Sequence, residues 1–313
     1  MIPSQRDVQQ AFDRVRPHVH QTPVLTSRLL DELSGASIFF KCENFQKMGA
    51  FKMRGAINAI LQIPRADQAK GVVTHSSGNF AQAVSLAAKN LGIPAYIVMP
   101  NNAPQVKKDA VVSYGGIIYE SEATIAAREA MASKIQDKTG ATFLHPSNHI
   151  DVILGQGTAA IELLQEQPSL NCIITPVGGG GLLAGSALAA KYFGSSIGVY
   201  AGEPFNADDG YRSLQSGKIE YNTTVNTIAD GLRTHLGDKN FPIIKTLVTD
   251  IIRVEEQEII AAMKLLWERL KIIIEPSCAV PFAALLRDKK TFAGKKVGII
   301  LSGGNVDLTN LPF

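Results

Sequence analysis

The chain has 313 residues, of which 45% are hydrophobic and 19% charged, and its formal net charge at pH 7 is +3. Lysines and arginines are spread along it without a basic run, which argues against nucleic acid or an acidic membrane surface as the main partner. The three cysteines are far apart, the N-terminus lacks a signal-peptide pattern, and no apolar run approaches the ~20 residues that span a bilayer, so we expect a cytoplasmic protein without disulfides or structural zinc.

Short apolar, β-branched runs alternate with longer helical patterns over nearly the whole length. The predicted strands are Ile38–Lys41, Gly71–Thr74, Ala95–Met99, Ile117–Tyr119, Cys172–Val177, Ile197–Ala201, Ile251–Val254 and Lys296–Leu301. Helical stretches between them include Phe80–Leu91, Ile125–Thr139, Leu182–Phe193 and Glu256–Leu270. This alternation predicts an α/β protein whose parallel sheets are covered by helices on both faces.

The first segment that carries chemistry is Gly49-Ala50-Phe51-Lys52, after which the pattern turns helical. Lys52 is therefore predicted near a helix N-terminus, where the helix dipole disfavours a cation, and burial beside Phe51 would lower the pKa of its ammonium further. An amine that loses its proton readily can form a Schiff base with an aldehyde. Taken alone, however, the segment favours an ordinary surface lysine at a helix start.

The second segment is the glycine run Gly178 to Gly181, between a predicted strand and a predicted helix. Glycines there let the backbone approach a ligand closely, and the helix N-terminus adds a partial positive charge, so the run is typical of a phosphate-binding loop. It lacks the Lys-Ser/Thr ending of a P-loop and the spacing of a dinucleotide fingerprint. A flexible linker fits poorly, because both flanks are apolar and periodic.

Two further turns follow predicted strands. The run from Thr74 to Asn79 offers hydroxyls and free N–H groups that could hold a carboxylate, although Ser76 or Ser77 is more simply the N-cap of the following helix. The run Ser302-Gly303-Gly304-Asn305 follows the last strand, where α/β enzymes place ligands. Without context it is an ordinary glycine turn.

Together, and in this order, the four segments resemble the fold-type II pyridoxal-phosphate (PLP) enzymes, and among them the serine/threonine dehydratase and serine racemase family. The resemblance runs from about Thr22 to Asp307 and includes Gly155-Gln156-Gly157-Thr158, Ala229-Asp230-Gly231 and Glu275-Pro276. It implies two open parallel-sheet domains with the cofactor in the cleft between them. Residues 1–69 and 148–313 would form the large PLP-binding domain, residues 70–147 the small one, and a homodimer is expected by the same analogy.

The resemblance also implies roles around the cofactor. Lys52 would bind PLP covalently, Phe51 would lie beside the pyridine ring, and Asn79 would hydrogen-bond the ring hydroxyl. Ser302 would meet the ring nitrogen, which leaves the ring a weaker electron sink than a carboxylate would and suits prompt loss of a β leaving group. The phosphate loop and the remaining implied cofactor contacts are Gly178, Gly179, Gly180, Gly181, Leu182, Gly231 and Glu275.

The substrate amino acid would lie on the turn of Ser76, Ser77, Gly78 and Asn79. Lys52 would remove the α-proton from one face. In family members with racemase activity the serine that matches Ser77 serves the opposite face, so the pair could support racemisation as well as elimination. Arg128 lies where serine racemase has an arginine that can reach a substrate-like carboxylate, or else on a solvated helix face.

The stretch Gly202 to Asp209 resembles the divalent-cation loop of the family. Glu203 and Asp209 would supply carboxylates and Ala207 a backbone carbonyl, a set of hard oxygen ligands that suits Mg²⁺, Mn²⁺ or Ca²⁺. The alternative is a loop acid followed by a helix N-cap. Met48 replaces a threonine near the nucleotide site of serine racemase, which argues against activation by ATP.

The expected activity is PLP-dependent β-elimination of L-serine or L-threonine to a 2-oxo acid and ammonia, with serine racemisation as a companion. The alternative is dehydration of threo-3-hydroxyaspartate, whose second carboxylate Arg128 could receive; Ala50, where many relatives have serine, also occurs in hydroxyaspartate dehydratases. A non-catalytic homologue that binds PLP or an amino acid is supported only by Phe80, which replaces a histidine common in the family.

Overall fold

The computed structural model describes residues 2–313, so that of the predicted large domain only residue 1 lies outside it. In the described chain the strands are β1 (Val24–Leu25), β2 (Ser37–Cys42), β3 (Val72–His75), β4 (Ala95–Pro100), β5 (Ile117–Ser121), β6 (Thr142–Phe143), β7 (Cys172–Pro176), β8 (Gly198–Pro204), β9 (Asp250–Val254) and β10 (Lys296–Leu301). The α-helices are α1 (Gln5–Val15), α2 (Arg28–Ser34), α3 (Lys52–Leu61), α4 (Arg65–Gln68), α5 (Asn79–Leu91), α6 (Gln105–Ser113), α7 (Ile125–Thr139), α8 (Ile150–Glu166), α9 (Gly181–Phe193), α10 (Asp209–Ser216), α11 (Phe241–Leu247), α12 (Glu256–Leu270), α13 (Pro276–Arg287) and α14 (Lys289–Phe292).

The strands form two separate sheets. The larger has the order β1-β2-β10-β7-β8-β9, in which only the edge pair β1–β2 is antiparallel. The smaller has the order β5-β4-β3-β6 and is parallel throughout. Inner strands such as β7 are buried along their whole length, as expected for a sheet covered on both faces. The predicted α/β class is confirmed.

All the predicted strands are present, although some of their ends differ by a few residues. The prediction missed β1 and β6, which have two residues each and are too short to show an alternating pattern. It named no helix over α8, which carries the Gly155-Gln156-Gly157 motif. No helix among residues 2–313 has the length and apolar character needed to cross a membrane.

Three helices beneath the larger sheet approach one another through glycines. A Cβ built on Gly155 of α8 would lie 2.4 Å from the carbonyl oxygen of Arg54 in α3. A Cβ built on Gly157 would lie 2.5 Å from the carbonyl oxygen of Gly185 in α9. Side chains at these positions would push the backbones apart, so the glycines fix how closely α3 and α9 approach α8.

A buried cluster of charges joins α3 and α8 to the loop after β2. The fully buried guanidinium of Arg54 donates to both carboxylate oxygens of Glu43, at 2.7 and 2.8 Å, and to both of Glu162, at 2.7 and 2.8 Å. The buried ammonium of Lys41 also lies 2.8 Å from Glu162. Burial opposes the charge on Arg54, but the two carboxylates outweigh it and raise the pKa of the guanidinium. Two cations and two anions therefore compensate one another in the interior.

Replacing Arg54 should be far more costly than replacing an exposed arginine. Arg54→Met leaves two buried carboxylates with one cation between them, so we expect the free energy of unfolding to fall by about 3–5 kcal/mol. Arg28→Met is the matched control, because Arg28 and its partner Glu32 are 89% and 64% exposed, and its cost should stay below about 1 kcal/mol. Urea unfolding of both variants measures the difference; equal midpoints would show that the buried cluster contributes no stability.

Candidate active site

Lys52 is the first residue of α3, and its amine lies in an enclosed setting. Its Nζ donates a hydrogen bond to the carbonyl oxygen of Pro146 at 2.9 Å. The ring centroids of Phe51 and Phe80 lie 4.9 and 5.8 Å from the same atom. Burial lowers the pKa of Lys52 to about 8, and the nearby carboxyl of Glu275 opposes the shift only in part. A large share of this amine is therefore unprotonated near pH 8, the form in which an amine is a nucleophile or a base.

Ser302 is held beside Lys52 by the backbone. Strands β2 and β10 pair in parallel from Ser37–Lys296 to Cys42–Leu301. The segments that follow them remain paired, because Ala50 forms an isolated bridge with Gly303 and the N–H of Phe51 donates to the carbonyl oxygen of Ser302 at 3.0 Å. The structure thus brings together two predicted site residues that are 250 positions apart in the sequence.

Asn79, at the start of α5, reaches across from the smaller sheet. Its amide donates to both carboxylate oxygens of Glu275, at 3.0 and 3.1 Å, and its oxygen accepts a hydrogen bond from Asn305 at 2.8 Å. The backbone N–H of Glu275 donates in turn to the carbonyl oxygen of Gly303. Burial and the nearby Asp230 raise the pKa of Glu275 to about 7. These contacts place Asn79 and Glu275 next to the Ser302 turn.

The glycine run forms a tight turn that leads into α9. All four residues of Gly178 to Gly181 are buried, and within residues 2–313 none of their N–H groups has a hydrogen-bond acceptor. Unpaired N–H groups at the start of a helix form an anion site. A Cβ on Gly178 would lie 2.6 Å from the Cα of Leu232 and 3.2 Å from the carbonyl oxygen of Gly231. The turn therefore fits a phosphate group and has no room for side chains of its own.

The side chain of Gln156 links the glycine run to the residue that holds Lys52. Gln156 is fully buried and donates to the carbonyl oxygen of Pro146 at 3.2 Å, the same atom that accepts from Lys52. Its own side-chain oxygen lies 2.4 Å from where a Cβ on Gly181 would stand. The amine, the anion site and Ser302 thus surround one region, and this set of groups fits a phosphorylated aldehyde such as PLP.

The turn before α5 is less tightly connected. The hydroxyl of Ser76 accepts a hydrogen bond from the N–H of Gly78 at 3.3 Å, and Ser77 makes no hydrogen bond to another described residue. Arg128, in α7, donates to the carbonyl oxygen of Thr124 at 3.4 Å. It lies close enough to add to the effect of burial in lowering the pKa of His75, which precedes Ser76. Within residues 2–313 the structure shows no hydrogen bond from Arg128 to Ser76 or Ser77.

The predicted cation ligands lie at the end of β8, where Glu203 is the last residue but one of the strand, and in the turn that leads to Asp209 at the start of α10. Glu203 and Asp209 are fully buried, and Ala207 is buried between them in the sequence. Glu203 accepts hydrogen bonds from the backbone N–H groups of Gly210 and Tyr211, at 2.9 and 2.7 Å. Burial and then the charge of Asp209 raise the pKa of Glu203, and burial raises that of Asp209 to about 7. Residues 2–313 contain no cluster of three or more His, Cys, Asp or Glu side chains that could hold a metal, so oxygen ligands from the backbone would be needed.

Several residues of the site were not singled out from the sequence. Pro146 supplies the acceptor for Lys52, Gln156 shares it, and Asn305 holds Asn79. Asn240 donates to the carbonyl oxygens of Gly179 and Ser147, at 2.8 and 3.1 Å, and so holds the glycine turn in place. Gln156 and Asn305 lie inside motifs quoted above, which was a usable signal. Asn240 has only the appearance of an ordinary helix N-cap.

Comparisons with known proteins agree with this geometry. A family model described as "Pyridoxal-phosphate dependent enzyme" matches residues 15–303. The chain therefore belongs to this family of PLP-dependent enzymes.

Individual relatives extend over nearly the full length. A beta-hydroxyaspartate dehydratase from Paracoccus denitrificans is 47% identical over 312 residues, covering 100% of this chain and 99% of the relative. A serine racemase from Arabidopsis thaliana is 52% identical over 309 residues, covering 97% and 93%. The crystal structure of a threonine deaminase from T.th. is similar with a TM-score of 0.93 and 41% identity, covering 98% of this chain and 100% of the other. The predicted family resemblance and fold are confirmed.

The glycine turn should be required for cofactor binding. Gly178→Ala places a Cβ against the backbone of Leu232, which cannot yield cheaply, so we expect the affinity for PLP to fall about tenfold or more. Titration of the cofactor-free protein with PLP, followed by absorbance, measures this. Gly294→Ala is the control, because Gly294 has a φ of +71° but nothing within 4 Å of its Cβ position. Unchanged affinity in Gly178→Ala would mean that the phosphate lies elsewhere.

Proposed function

We propose that this protein is a PLP-dependent dehydratase that converts L-serine or L-threonine to a 2-oxo acid and ammonia, and that it also racemises serine. The observation that carries the proposal is the amine of Lys52, which donates to Pro146 and follows the residue whose backbone is bonded to Ser302. Full-length similarity to a serine racemase and to a threonine deaminase supports this substrate class.

Each group in the site has a task in this proposal. When bound, PLP withdraws electrons from the α-carbon of an amino acid and so makes its α-proton acidic. The N–H groups of Gly178 to Gly181, with the start of Leu182, hold the phosphate, and Ser302 serves the ring nitrogen. Phe51, Asn79, Gly231 and Glu275 complete the cofactor contacts.

Lys52 acts as the base that removes the α-proton. Its pKa of about 8 lets it accept a proton near neutral pH without holding one permanently. The carbonyl oxygen of Pro146, 2.9 Å away, then accepts a hydrogen bond from the ammonium and keeps the proton in the site. Loss of water from the β-carbon and hydrolysis give the oxo acid and ammonia.

The turn of Ser76, Ser77, Gly78 and Asn79 would bind the substrate carboxylate through its hydroxyls and free N–H groups. The support for a second catalytic role is that the Ser77 hydroxyl has no partner among the described residues and is therefore available to a ligand. In the proposal it donates or accepts the proton on the face away from Lys52.

Ser77→Ala should separate the two activities. Formation of D-serine from L-serine should fall about a hundredfold or more, because one acid/base group is lost, while the oxo acid still forms through Lys52. Chiral chromatography and an oxo-acid assay measure the two products. Ser113→Ala, which removes an exposed hydroxyl in α6, is the control. D-serine formation that persists in Ser77→Ala would remove Ser77 from the mechanism.

A second candidate is dehydration of threo-3-hydroxyaspartate. Arg128 lies near His75, at the start of the proposed substrate turn, where its cation could receive a second carboxylate. The Paracoccus relative, which is matched over its whole length, supports the same substrate.

A panel of L-serine, L-threonine and both hydroxyaspartate diastereomers tests the two candidates directly. We expect an oxo acid from serine and threonine. If only hydroxyaspartate reacts, the second candidate replaces the first. A protein that binds PLP but neither releases an oxo acid from any of them nor racemises serine would be a non-catalytic homologue.

We also propose that Glu203, Asp209 and the carbonyl oxygen of Ala207 bind a divalent cation of the Mg²⁺, Mn²⁺ or Ca²⁺ type. The support is two buried carboxylates with no salt bridge to either among the described residues, and the charge of Asp209 adds to burial in raising the pKa of Glu203. A bound cation would compensate both charges.

Removing one carboxylate should remove the response to the cation. Millimolar Mg²⁺ should raise the midpoint of thermal unfolding of the wild type by about 2 °C or more, and of Asp209→Asn by much less. Asp250→Asn, which changes a half-buried acid in β9, is the control. An equal Mg²⁺ response in Asp209→Asn would exclude this loop as the site.

We also propose a division into two domains. The large domain would comprise residues 1–69 and 148–313 and the small one residues 70–147, because the four strands of the smaller sheet, β3 to β6, all lie between residues 72 and 143. A homodimer in the cytoplasm is proposed by analogy with the family. Met48 remains an argument against activation by ATP.

A further inference from the structure

The amine of Lys52 is flanked by aromatic rings from two different parts of the fold. Phe51 immediately precedes α3, and its ring centroid lies 4.9 Å from Nζ. Phe80 belongs to the first turn of α5, which follows a strand of the smaller sheet, and its centroid lies 5.8 Å from Nζ. Phe80 is only 2% exposed, so its ring is fixed by packing.

Such rings act on an ammonium in two opposite ways. Their faces attract a cation, which favours the protonated amine, but they also exclude water, which disfavours it. Burial is the largest cause of the shift and lowers the pKa of Lys52 to about 8. The two rings lie within 6 Å of the amine and belong to the surroundings that bury it.

Few charged groups face the amine. Glu275, at the N-cap of α13, favours the ammonium and so works against the observed shift. His145, in the segment before α8, has its own pKa lowered to about 4 by burial and then by His75, so it is neutral near pH 8. In α3 itself, Arg54 is engaged by Glu43 and Glu162. The first turn of α5 presents Asn79 and Phe80, neither of which titrates, and the glycine run carries no side chains.

We propose that Phe80 is a positioning residue for Lys52, whose apolar ring keeps water and any acceptor other than the Pro146 carbonyl oxygen away from the amine. Because the ring comes from α5, the smaller sheet would help to determine the protonation of a lysine that belongs to the segment after β2. The inference rests on the proposed role of Lys52, and it assigns a specific function to a residue that replaces a histidine common in the family.

Two variants with side chains of similar size test whether the polarity of residue 80 matters. Phe80→Met keeps this side chain apolar, whereas Phe80→Gln places an amide of similar length beside the amine. The pKa of Lys52 is measured in the full-length, cofactor-free protein by competitive acetylation across pH, with mass spectrometry of the Lys52 peptide. Phe292→Leu is the control for loss of a buried ring, because Phe292 is fully buried against Tyr200.

Phe80→Gln should raise the pKa of Lys52 by about one unit, which is a tenfold change in the unprotonated fraction, since an amide oxygen accepts a hydrogen bond from the ammonium. Phe80→Met and Phe292→Leu should leave it within about 0.3 units of the wild type. If Phe80→Gln does not fold, as judged by circular dichroism, Phe80→His replaces it with the same expectation. Equal pKa values in the polar variant and in Phe80→Met would overturn the proposal.

The pH dependence of kcat, which reports the substrate-bound enzyme in which the amine of Lys52 has been released, separates this inference from the proposed function. With Lys52 as the base, a raised pKa moves the acid limb of the kcat profile to higher pH in Phe80→Gln. A shift in acetylation without a shift in the profile would sustain the role of Phe80 and exclude Lys52 as the base.

Discussion

Strands β2 and β10 lie side by side in parallel, and their pairing continues into the segments beyond both strands through the Ala50–Gly303 bridge and the bond between Phe51 and Ser302. Lys52 follows directly, so the register of the sheet determines where its amine lies. A slip of one residue would turn every side chain of β2 to the opposite face and separate Lys52 from Ser302. The Glu275 and Asn305 contacts depend on the same turn.

Ionisable groups in the interior fall into two kinds. Around Arg54 each charge has a partner of opposite sign, and the cluster is closed. Among the described residues, Lys52, Glu203 and Asp209 have no salt-bridge partner. The pKa of Lys52 is lowered and those of Glu203 and Asp209 are raised, so the neutral form of each group is favoured. Groups held in this way are poised to bind a ligand or to transfer a proton, which is why shifted pKa values concentrate at functional sites. Buried charges with partners therefore stabilise the fold, whereas the buried groups without partners are the ones proposed to bind ligands or transfer protons.

Long apolar strands such as β7 and β10 could be predicted from the sequence, because burial on both faces leaves a continuous hydrophobic run. The short strands β1 and β6 could not, since two residues show no period. Within the site, the glycine run has a local signal. The contact between Asn79 and Glu275 has none, because it joins residues 196 positions apart. From the sequence, Phe80 is noticeable only as the replacement of a histidine common in the family. The structure is needed to show that its ring lies beside Lys52.

The guanidinium of Arg54 uses its donors on Glu43 and Glu162, with further bonds to Thr158 and to the backbone of His20. A substitution that removes one charge of this cluster leaves another without a partner, and lysine in place of Arg54 cannot reproduce the forked donation to both carboxylates. Over evolutionary time, its members are expected to be retained or to change together, so that related sequences should show correlated replacement at positions 43, 54 and 162 rather than independent drift. Lys52 lies two residues before Arg54 on α3, so the same cluster also anchors the helix that carries the amine.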